Sequence, residues 1–348
     1  MLLKALTEAF GVSGQEQEVR DILRSHVRPH CDEVETDSIG NLIAIKRGSG
    51  NGPNKNGPKV MIAAHMDEIG LMVTFIEKSG VLRFSPVGGV DPRVLVSKAV
   101  YVGKTRVPGV IGAKPVHLQK KDEADKPFEL DGLFIDIGAK DRDEAEKLVK
   151  PGDGAVFATE YSEIGTSRAK AKAFDDRVGC AVLAEILAQD RRWSFTLQAA
   201  FTVQEEVGAR GAQVAAYRLE PNLALALEGT TASDVPGSKE HQYSTVLGKG
   251  PALTHTDASL VADARIVRRL IEVAEAANIP FQFRELAVSG TDAGRIHLIR
   301  EGIPAAVVSV PARYIHSPVS IIDKNDFNNA VKLVAAFLDS IEERGLPL

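Results

Sequence analysis

The 348-residue sequence has very little cysteine. Cys31 and Cys180 are its only two, far apart and outside any CxxC pattern. That excludes a disulfide framework and a thiolate zinc site. Long apolar runs are also missing: no stretch approaches the ~18 consecutive apolar residues of a membrane span. The N-terminal Met1-Leu2-Leu3-Lys4-Ala5 runs into Thr7, Glu8 and a Gly-Ser break, unlike a signal peptide. There is no surplus of positive charge. The 42 Lys+Arg stand against 47 Asp+Glu, a net charge of −5, which argues against a general nucleic-acid binder. No internal repeat is visible. What remains is a globular chain, 44% hydrophobic and 26% charged, long enough to bury a core unaided. The expectation is a cytoplasmic protein with neither membrane nor nucleic acid as partner. Any metal in it must be held by His and carboxylates.

Ser13-Gly14-Gln15-Glu16 fits a capping box, with Ser13 as N-cap of a helix carrying Val19, Ile22, Leu23 and Val27. Asn41 to Ile45 reads as a strand, and residues 48–58 (GSGNGPNKNGP) as a flexible surface loop. Val60 to Ala64 is apolar without alternation, as expected of a strand covered on both faces. Phe195 to Val203, Leu223 to Leu227 and Ala305 to Val310 resemble it. Helical spacing lies between and after them, over Asp176 to Leu187, Val261 to Ala277 and Asp326 to Arg344. Residues 71–165 differ. Short strand-like runs there are punctuated closely by Gly and Pro, an all-β signature. The predicted architecture is therefore α/β: a mixed sheet flanked by helices over residues 1–68 and 170–348, interrupted by a smaller β-rich domain over 69–169. The charged run Gln119 to Lys126 reads as a solvated loop.

In open α/β sheets ligands bind beyond the carboxyl ends of the strands. Each of the four buried runs ends in groups able to bind metal: His65 with Asp67 and Glu68, then Glu205-Glu206, then Glu228 with Asp234 nearby, then His316. Asp175-Asp176 adds a pair just before a helix. Singly, each has an ordinary reading. His65 alone would be a satisfied core histidine. One of the two Asp residues would be an N-cap or first-turn acid. Glu205-Glu206 could be an exposed loop, yet adjacent carboxylates beside a buried run repel unless a cation or proton intervenes. Five such residues in one strand-end pattern favour a metal site. Carboxylates and imidazoles without thiolate suit Zn, Co or Mn. A bridging carboxylate could hold two ions about 3.5–4 Å apart. One of Glu205 and Glu206 would reach the metal, the other a water.

The motifs Ala64-His65-Met66-Asp67-Glu68-Ile69-Gly70, Ala173-Phe174-Asp175-Asp176-Arg177-Val178-Gly179, Gln204-Glu205-Glu206-Val207-Gly208 and Ile315-His316-Ser317-Pro318 resemble the co-catalytic metallo-aminopeptidases of the tetrahedral (TET) type, which include glutamyl and deblocking aminopeptidases. Gly11 to Gly14, Asp37 to Leu42, Gly88-Gly89 and Ser289-Gly290-Thr291-Asp292-Ala293 match as well, so the likeness spans nearly the whole chain. The resemblance implies an aminopeptidase acting on peptides with two divalent ions per subunit, Zn or Co, with Mn also compatible. His65 and Glu228 would bind the first metal, Glu206 and His316 the second, and Asp175 would bridge them. Glu205 would be general base and acid, and Asp67 would orient His65. Many relatives carry Asp where this chain has Glu228; Asp234 is the fallback ligand. The β-rich domain would mediate homodimers, which assemble into a hollow tetrahedral homododecamer. Two other readings stand beside this one. Some relatives are labelled endoglucanases, for which Glu205 and Asp67 would be acid and nucleophile. A metal-stabilised assembly protein without catalysis is the second. Arg177, Arg210, Arg295 and Arg313 are candidates for a basic specificity pocket. Thr291 and Asp292 are candidates for substrate contact or for a turn. Gly290 is a candidate for a positive φ, Cys180 for core packing and His117 for a structural role.

Overall fold

The computed structural model describes residues 1–49, 57–119, 126–285 and 289–348. Most of the loop expected over 48–58 and most of the charged run 119–126 lie outside the described residues.

Among the described residues, eleven strands form one large sheet. Four parallel strands make its centre, in the order Thr196–Thr202, Lys59–His65, Leu223–Thr231, Ala305–Arg313. These are the four unalternating apolar runs, and the reason is burial. Met61, Ile62, Ala199, Phe201, Leu225 and Val307 are covered from both sides. Leu42–Lys46 and Glu33–Thr36 extend one edge antiparallel. Ser320–Asp323, Arg168–Ala171 and Ser162–Ile164 extend the other. Helix Phe174–Ala188 packs on the two middle strands. The 21-residue helix Lys324–Arg344 packs against it, and Ala264–Ala276 packs against that. Asp263 and Asp323 start these last two helices by accepting backbone N–H groups of Arg265 and Asn325, each cap worth about 1 kcal/mol.

The β-rich segment closes into a six-stranded antiparallel barrel. Its strands follow one another in the order Gly70–Ile76, Leu82–Val87, Leu133–Asp136, Val107–Ala113, Ala99–Val102, Gly154–Phe157. Leu71, Val73, Leu82, Val100, Val102, Ile111 and Ile135 fill it. The hairpin Ser162–Ile164/Arg168–Ala171 belongs to the large sheet, so the barrel ends with Phe157.

The N-terminal turn corrects one expectation. Ser13 does not cap a helix. Helix Gln17–Val27 follows Glu16 without a side-chain cap, and the Ser13 hydroxyl instead donates to Asp67 Oδ2 at 2.6 Å. The Glu16 carboxylate accepts the N–H of Gly14 (2.6 Å) and of Gln204 (3.2 Å). A local motif in the sequence is thus spent on a long-range contact to the strand ends.

Beneath that turn lies a buried ionic cluster. Glu68 accepts from Lys172 Nζ at 2.7 and 2.8 Å and from Arg177 Nη2 at 2.9 Å. Lys172 also donates to Ala9 O, and Arg177 to Leu6 O and Gly11 O. The cluster ties the first helix to the strand-end motif at residue 68 and to the Asp175-Asp176 helix start. Removing its one carboxylate leaves two buried cations facing each other. Glu68→Ala is therefore expected to cost about 3–5 kcal/mol of unfolding free energy, read by denaturant titration. A loss under about 1 kcal/mol would show that the cluster is not a structural anchor.

Candidate active site

The parallel register places the strand ends side by side: Thr202 is level with His65, and Glu228 with Ser309. His65 ends its own strand, Glu205 and Glu206 follow the next, Glu228 lies within the third, and His316 follows the fourth. Asp175 arrives from the start of helix Phe174–Ala188, where the Asp175–Asp176 peptide is cis.

Asp175 lies between the two imidazoles. Its Oδ1 is 3.1 Å from His65 Nε2 and its Oδ2 is 3.1 Å from His316 Nε2. Glu228 Oε2 and Glu205 Oε2 lie 3.6 and 4.0 Å from His65 Nε2. Glu206 Oε2 is 3.4 Å from His316 Nε2. The fold thus gathers His65, Asp175, Glu205, Glu206, Glu228 and His316 around one centre.

Asp67 is the hub behind them. It is fully buried. Its Oδ1 accepts the Glu205 N–H at 2.9 Å and its Oδ2 the Glu206 N–H at 3.1 Å and the Ser13 hydroxyl. His65 Nδ1 lies 3.3 Å from Oδ1 and 3.2 Å from the Asp67 carbonyl oxygen. So Asp67 orients the His65 ring and also pins the backbone that carries both glutamates. With these donors converging on it, Asp67 is not free to serve as a glycosidase nucleophile.

The electrostatics show a shortage of positive charge. Burial, with repulsion from Asp292, Asp175 and Asp67, pushes Glu205 up to about 8. Burial and the Asp175 charge push Glu206 well above the carboxylate range, and burial with Asp176 does the same to Glu228. Burial would lower both imidazoles, but the carboxylates overcome it. His65 is raised well above its usual range and His316 to about 9. Asp175 resists its burial because both imidazoles bond to it, and it stays below the usual range. Glu206 Oε1 is buried without any donor. The donor atoms of His65, Asp175 and Glu206 lie within 4.8 Å of one another, as do those of His65, Asp176 and Glu228. Hard oxygen and imidazole donors, an orphaned carboxylate oxygen and mutually repelling acids fit divalent cations. Backbone strain accompanies them: Gln204 and His316 sit at φ 58° and 56°, a conformation costing on the order of 1–3 kcal/mol for a residue with a Cβ.

Two contributors were not legible as such. Asp176 accepts the backbone N–H of His65 (3.1 Å) and of Gly179 (2.9 Å), so it braces the centre from below. Asp292, buried and raised to about 6 by that burial, accepts from Thr202 Oγ1 at 2.5 Å. Its own N–H donates to Glu228 Oε1 at 3.1 Å. The paired Asp residues and the Gly-Thr-Asp turn were visible signals, but neither spacing reveals which atoms meet. Thr291 points its hydroxyl at Asp257 (3.1 Å).

Other expectations are corrected. Asp234 belongs to neither group of converging donors; it forms an ion pair with Arg313 (2.6 Å). That pairing also removes Arg313 as a free pocket cation, and Arg177 is consumed by Glu68. Arg210 reaches back to Gln204 Oε1. Gly290 does not take a positive φ; a Cβ there would meet Ser259 Oγ at 2.7 Å, so the absence of a side chain lets the Ser259 hydroxyl approach closely. Cys180 is buried and its thiol donates to the His65 carbonyl at 3.1 Å. His117 is exposed in a short turn of the barrel domain.

A cavity of about 690 Å³ opens over the centre, and Gly89 of the barrel domain lines part of it. A buried, cation-seeking carboxylate and imidazole set at strand ends, with one such cavity above it, defines a metal-dependent hydrolase. The comparisons narrow this. The pattern of the M42 glutamyl aminopeptidase family matches residues 40–333, and that described as AMPT matches 1–23. A putative aminopeptidase of Acetivibrio thermocellus is 41% identical over 333 residues, 96% of each chain. The lysyl aminopeptidase of Pyrococcus furiosus is 35% identical over 98% of this chain and 97% of its own. Among solved structures, a TET aminopeptidase from a marine-sediment Thaumarchaeota archaeon is 40% identical, with a TM-score of 0.93 over 98% of this chain and 96% of that one. The Pyrococcus horikoshii TET1 peptidase, described as assembling into a tetrahedron or a large octahedral shell, is 34% identical, with a TM-score of 0.85 over 96% and 97%. A Thermotoga maritima structure described as an endoglucanase is 40% identical, with a TM-score of 0.81 over 98% and 96%. The chain belongs to the M42 glutamyl aminopeptidase family. It is a metal-dependent aminopeptidase, a hydrolase of peptide bonds.

The barrel domain touches this site directly. A Cβ on Gly89 would lie 3.0 Å from His316 Nδ1, and one on Gly88, at φ 80°, would lie 3.2 Å from the Glu206 carboxylate. Gly89→Ala is expected to displace the His316 ring. Misplacement by about 1 Å can cost about 10²-fold in rate, so a loss of at least tenfold in kcat/KM is expected with Tm little changed. Unaltered kinetics would mean that the ring has room to yield.

Proposed function

We propose that the chain removes residues one at a time from the N-termini of peptides at a centre of two divalent ions, Zn or Co, with Mn also compatible. The observation that carries this reading is Asp175 spanning His65 and His316, one carboxylate oxygen toward each. His65 and Glu228 would hold one ion, Glu206 and His316 the other, and Asp175 both. When bound, the ions polarise the scissile carbonyl and lower the pKa of the attacking water. Glu205 stands 4.0 Å from His65 Nε2, at the edge of this set. It would take a proton from that water as the new C–O bond forms, then pass it to the amine nitrogen as the C–N bond breaks. Asp67, through the Glu205 N–H, would hold the base in register.

Oligomeric shell assembly and a cytoplasmic place in late peptide turnover are part of the same proposal. Supporting it are the TET relatives and the apolar groups the barrel domain leaves exposed, Phe75, Val110, Leu118 and Leu148. A barrel-mediated homodimer building a homododecamer would cover them. No helix among the described residues is long and apolar enough to cross a membrane. Relatives are named lysyl and glutamyl aminopeptidases, so membership alone leaves the side-chain preference open.

Glu205→Gln is expected to keep its metal and lose turnover by at least about 10²-fold, whereas His65→Ala should lose bound metal as well. Elemental analysis beside an aminoacyl-anilide assay separates the two, and substantial activity in Glu205→Gln would remove Glu205 from the role of base. A pH prediction follows from the raised pKa values. With His316 raised to about 9 and Glu206 and Glu228 raised well above the carboxylate range before metal binds, cations must displace protons near pH 7. Metal affinity should therefore rise from about pH 6 to about pH 9 with proton release on uptake, measured by calorimetry in two buffers of different ionisation heat. A pH-independent affinity would sink the donor assignment.

A further inference from the structure

We propose that the N-terminal turn over residues 11–16 sets the position of the general base, with Glu16 and Ser13 as positioning residues that act through the backbone of Glu205 and Glu206. The inference rests on the role proposed above for Glu205 and names what holds that base in place. It starts from the way the chain leaves its strand. Thr202 is the last residue of strand Thr196–Thr202, level with His65. Beyond it the chain turns, with Gln204 at φ 58°, to deliver Glu205 and Glu206. The amides of residues 203–206 lie past the end of the strand, and a buried amide without an acceptor is costly. Each is caught instead by a side-chain oxygen. Val203 N–H donates to Asn41 Oδ1 at 3.0 Å, and Gln204 N–H to Glu16 Oε1 at 3.2 Å. Glu205 N–H and Glu206 N–H donate to the two oxygens of Asp67 at 2.9 and 3.1 Å.

The N-terminal turn governs three of these four contacts. Glu16 is 4% exposed, and the same Oε1 also accepts the Gly14 N–H at 2.6 Å. The Ser13 hydroxyl donates to Asp67 Oδ2 at 2.6 Å, on the oxygen that takes the Glu206 N–H. The turn is itself fixed on two sides. Val12 forms a parallel bridge with Glu68, whose N–H donates to Gly11 O at 3.0 Å, so Ser13 is carried alongside Asp67. The Gln15 side chain ties the turn to the barrel. Its Nε2 donates to Gly152 O at 2.9 Å and its Oε1 accepts the Gly154 N–H at 3.2 Å. What Glu16 supplies to the loop is an acceptor: one oxygen takes both N–H groups. An amide oxygen in the same place would do as much. The base has little latitude, since misplacement by about 1 Å can cost about 10²-fold in rate.

The test compares wild type, Glu16→Ala, Glu16→Gln and Ser13→Ala, each at saturating Zn, on Glu-, Leu- and Lys-anilides. Glu16→Ala is expected to lower kcat by about 10²-fold and Ser13→Ala by about tenfold, with KM changed by less than about threefold, because the displaced group acts in the transition state. Elemental analysis should find wild-type metal content in both. Glu16→Gln is expected to recover kcat to within about fivefold of wild type, which separates loss of an acceptor from loss of a charge. Amide hydrogen exchange supplies a readout that does not depend on turnover. The segment 204–206 should lose protection in Glu16→Ala and keep it in Glu16→Gln. Ser13→Ala removes one hydroxyl only, so it decides the matter if Glu16→Ala does not fold. Unchanged kcat in the variants that fold, a raised KM at unchanged kcat, or a loss in Glu16→Ala that Glu16→Gln fails to recover overturns the proposal and leaves the aminopeptidase site standing. Failure of the wild type to cleave any of the anilides overturns that site and the proposal together.

Discussion

The constraint on which the rest of this structure depends is the crowding of carboxylates around His65 and His316 in a largely buried region. Glu205, Glu206, Glu228 and Asp176 are each pushed toward the neutral form by burial and by one another. A fold left to minimise its own energy would disperse them. Here four parallel strand ends, one helix start and two αL residues hold them together. The strain is answered by backbone donors wherever a carboxylate is structural, as for Asp67 and Asp176. It is left unanswered where the chemistry lies, as at Glu206 Oε1.

The same logic explains the surroundings. Glu68 stands three residues beyond His65 and could have joined the acidic crowd. Instead Lys172 and Arg177 neutralise it, converting a further negative charge into an anchor for the first helix. The barrel domain is not a remote appendage either. Its Gly88-Gly89 turn lies against Glu206 and His316, so the half of the site made by those residues is closed by a different domain from the one that carries them. Any movement of the barrel would be felt first at His316, which is the more exposed of the two imidazoles.

Much of this was legible along the chain. The four apolar runs were readable as doubly covered strands because Val60 to Ala64 and its counterparts lack any polar alternation. The short, Gly- and Pro-punctuated runs from Leu71 to Ala158 were readable as β structure for the opposite reason. Strands Arg168–Ala171 and Ser320–Asp323 were not, since strands of only four residues carry little periodic signal. Ser13 misled for a physical reason: a hydroxyl that can cap a helix can equally donate to a distant carboxylate, and local spacing does not distinguish the two. The positions His65, Asp67, Glu205, Glu206, Glu228 and His316 stood out at or just after strand ends and Asp175 just before a helix, and the structure gathers them. Their roles as ligands and base remain those proposed above.

What the sequence determined by itself is the inventory: the strand-forming runs, the absence of thiolate chemistry, and which acids and imidazoles occur at the ends of buried strands. These follow from composition and short-range periodicity, which act between neighbours in the chain. What only the tertiary structure decided is pairing. It placed one oxygen of Asp175 on each imidazole, and it sent Asp234 to Arg313 and Glu68 to Arg177. Such choices depend on distances between residues far apart in sequence, and on burial, which sets how strongly each charge is felt. Neither quantity exists until the chain has folded.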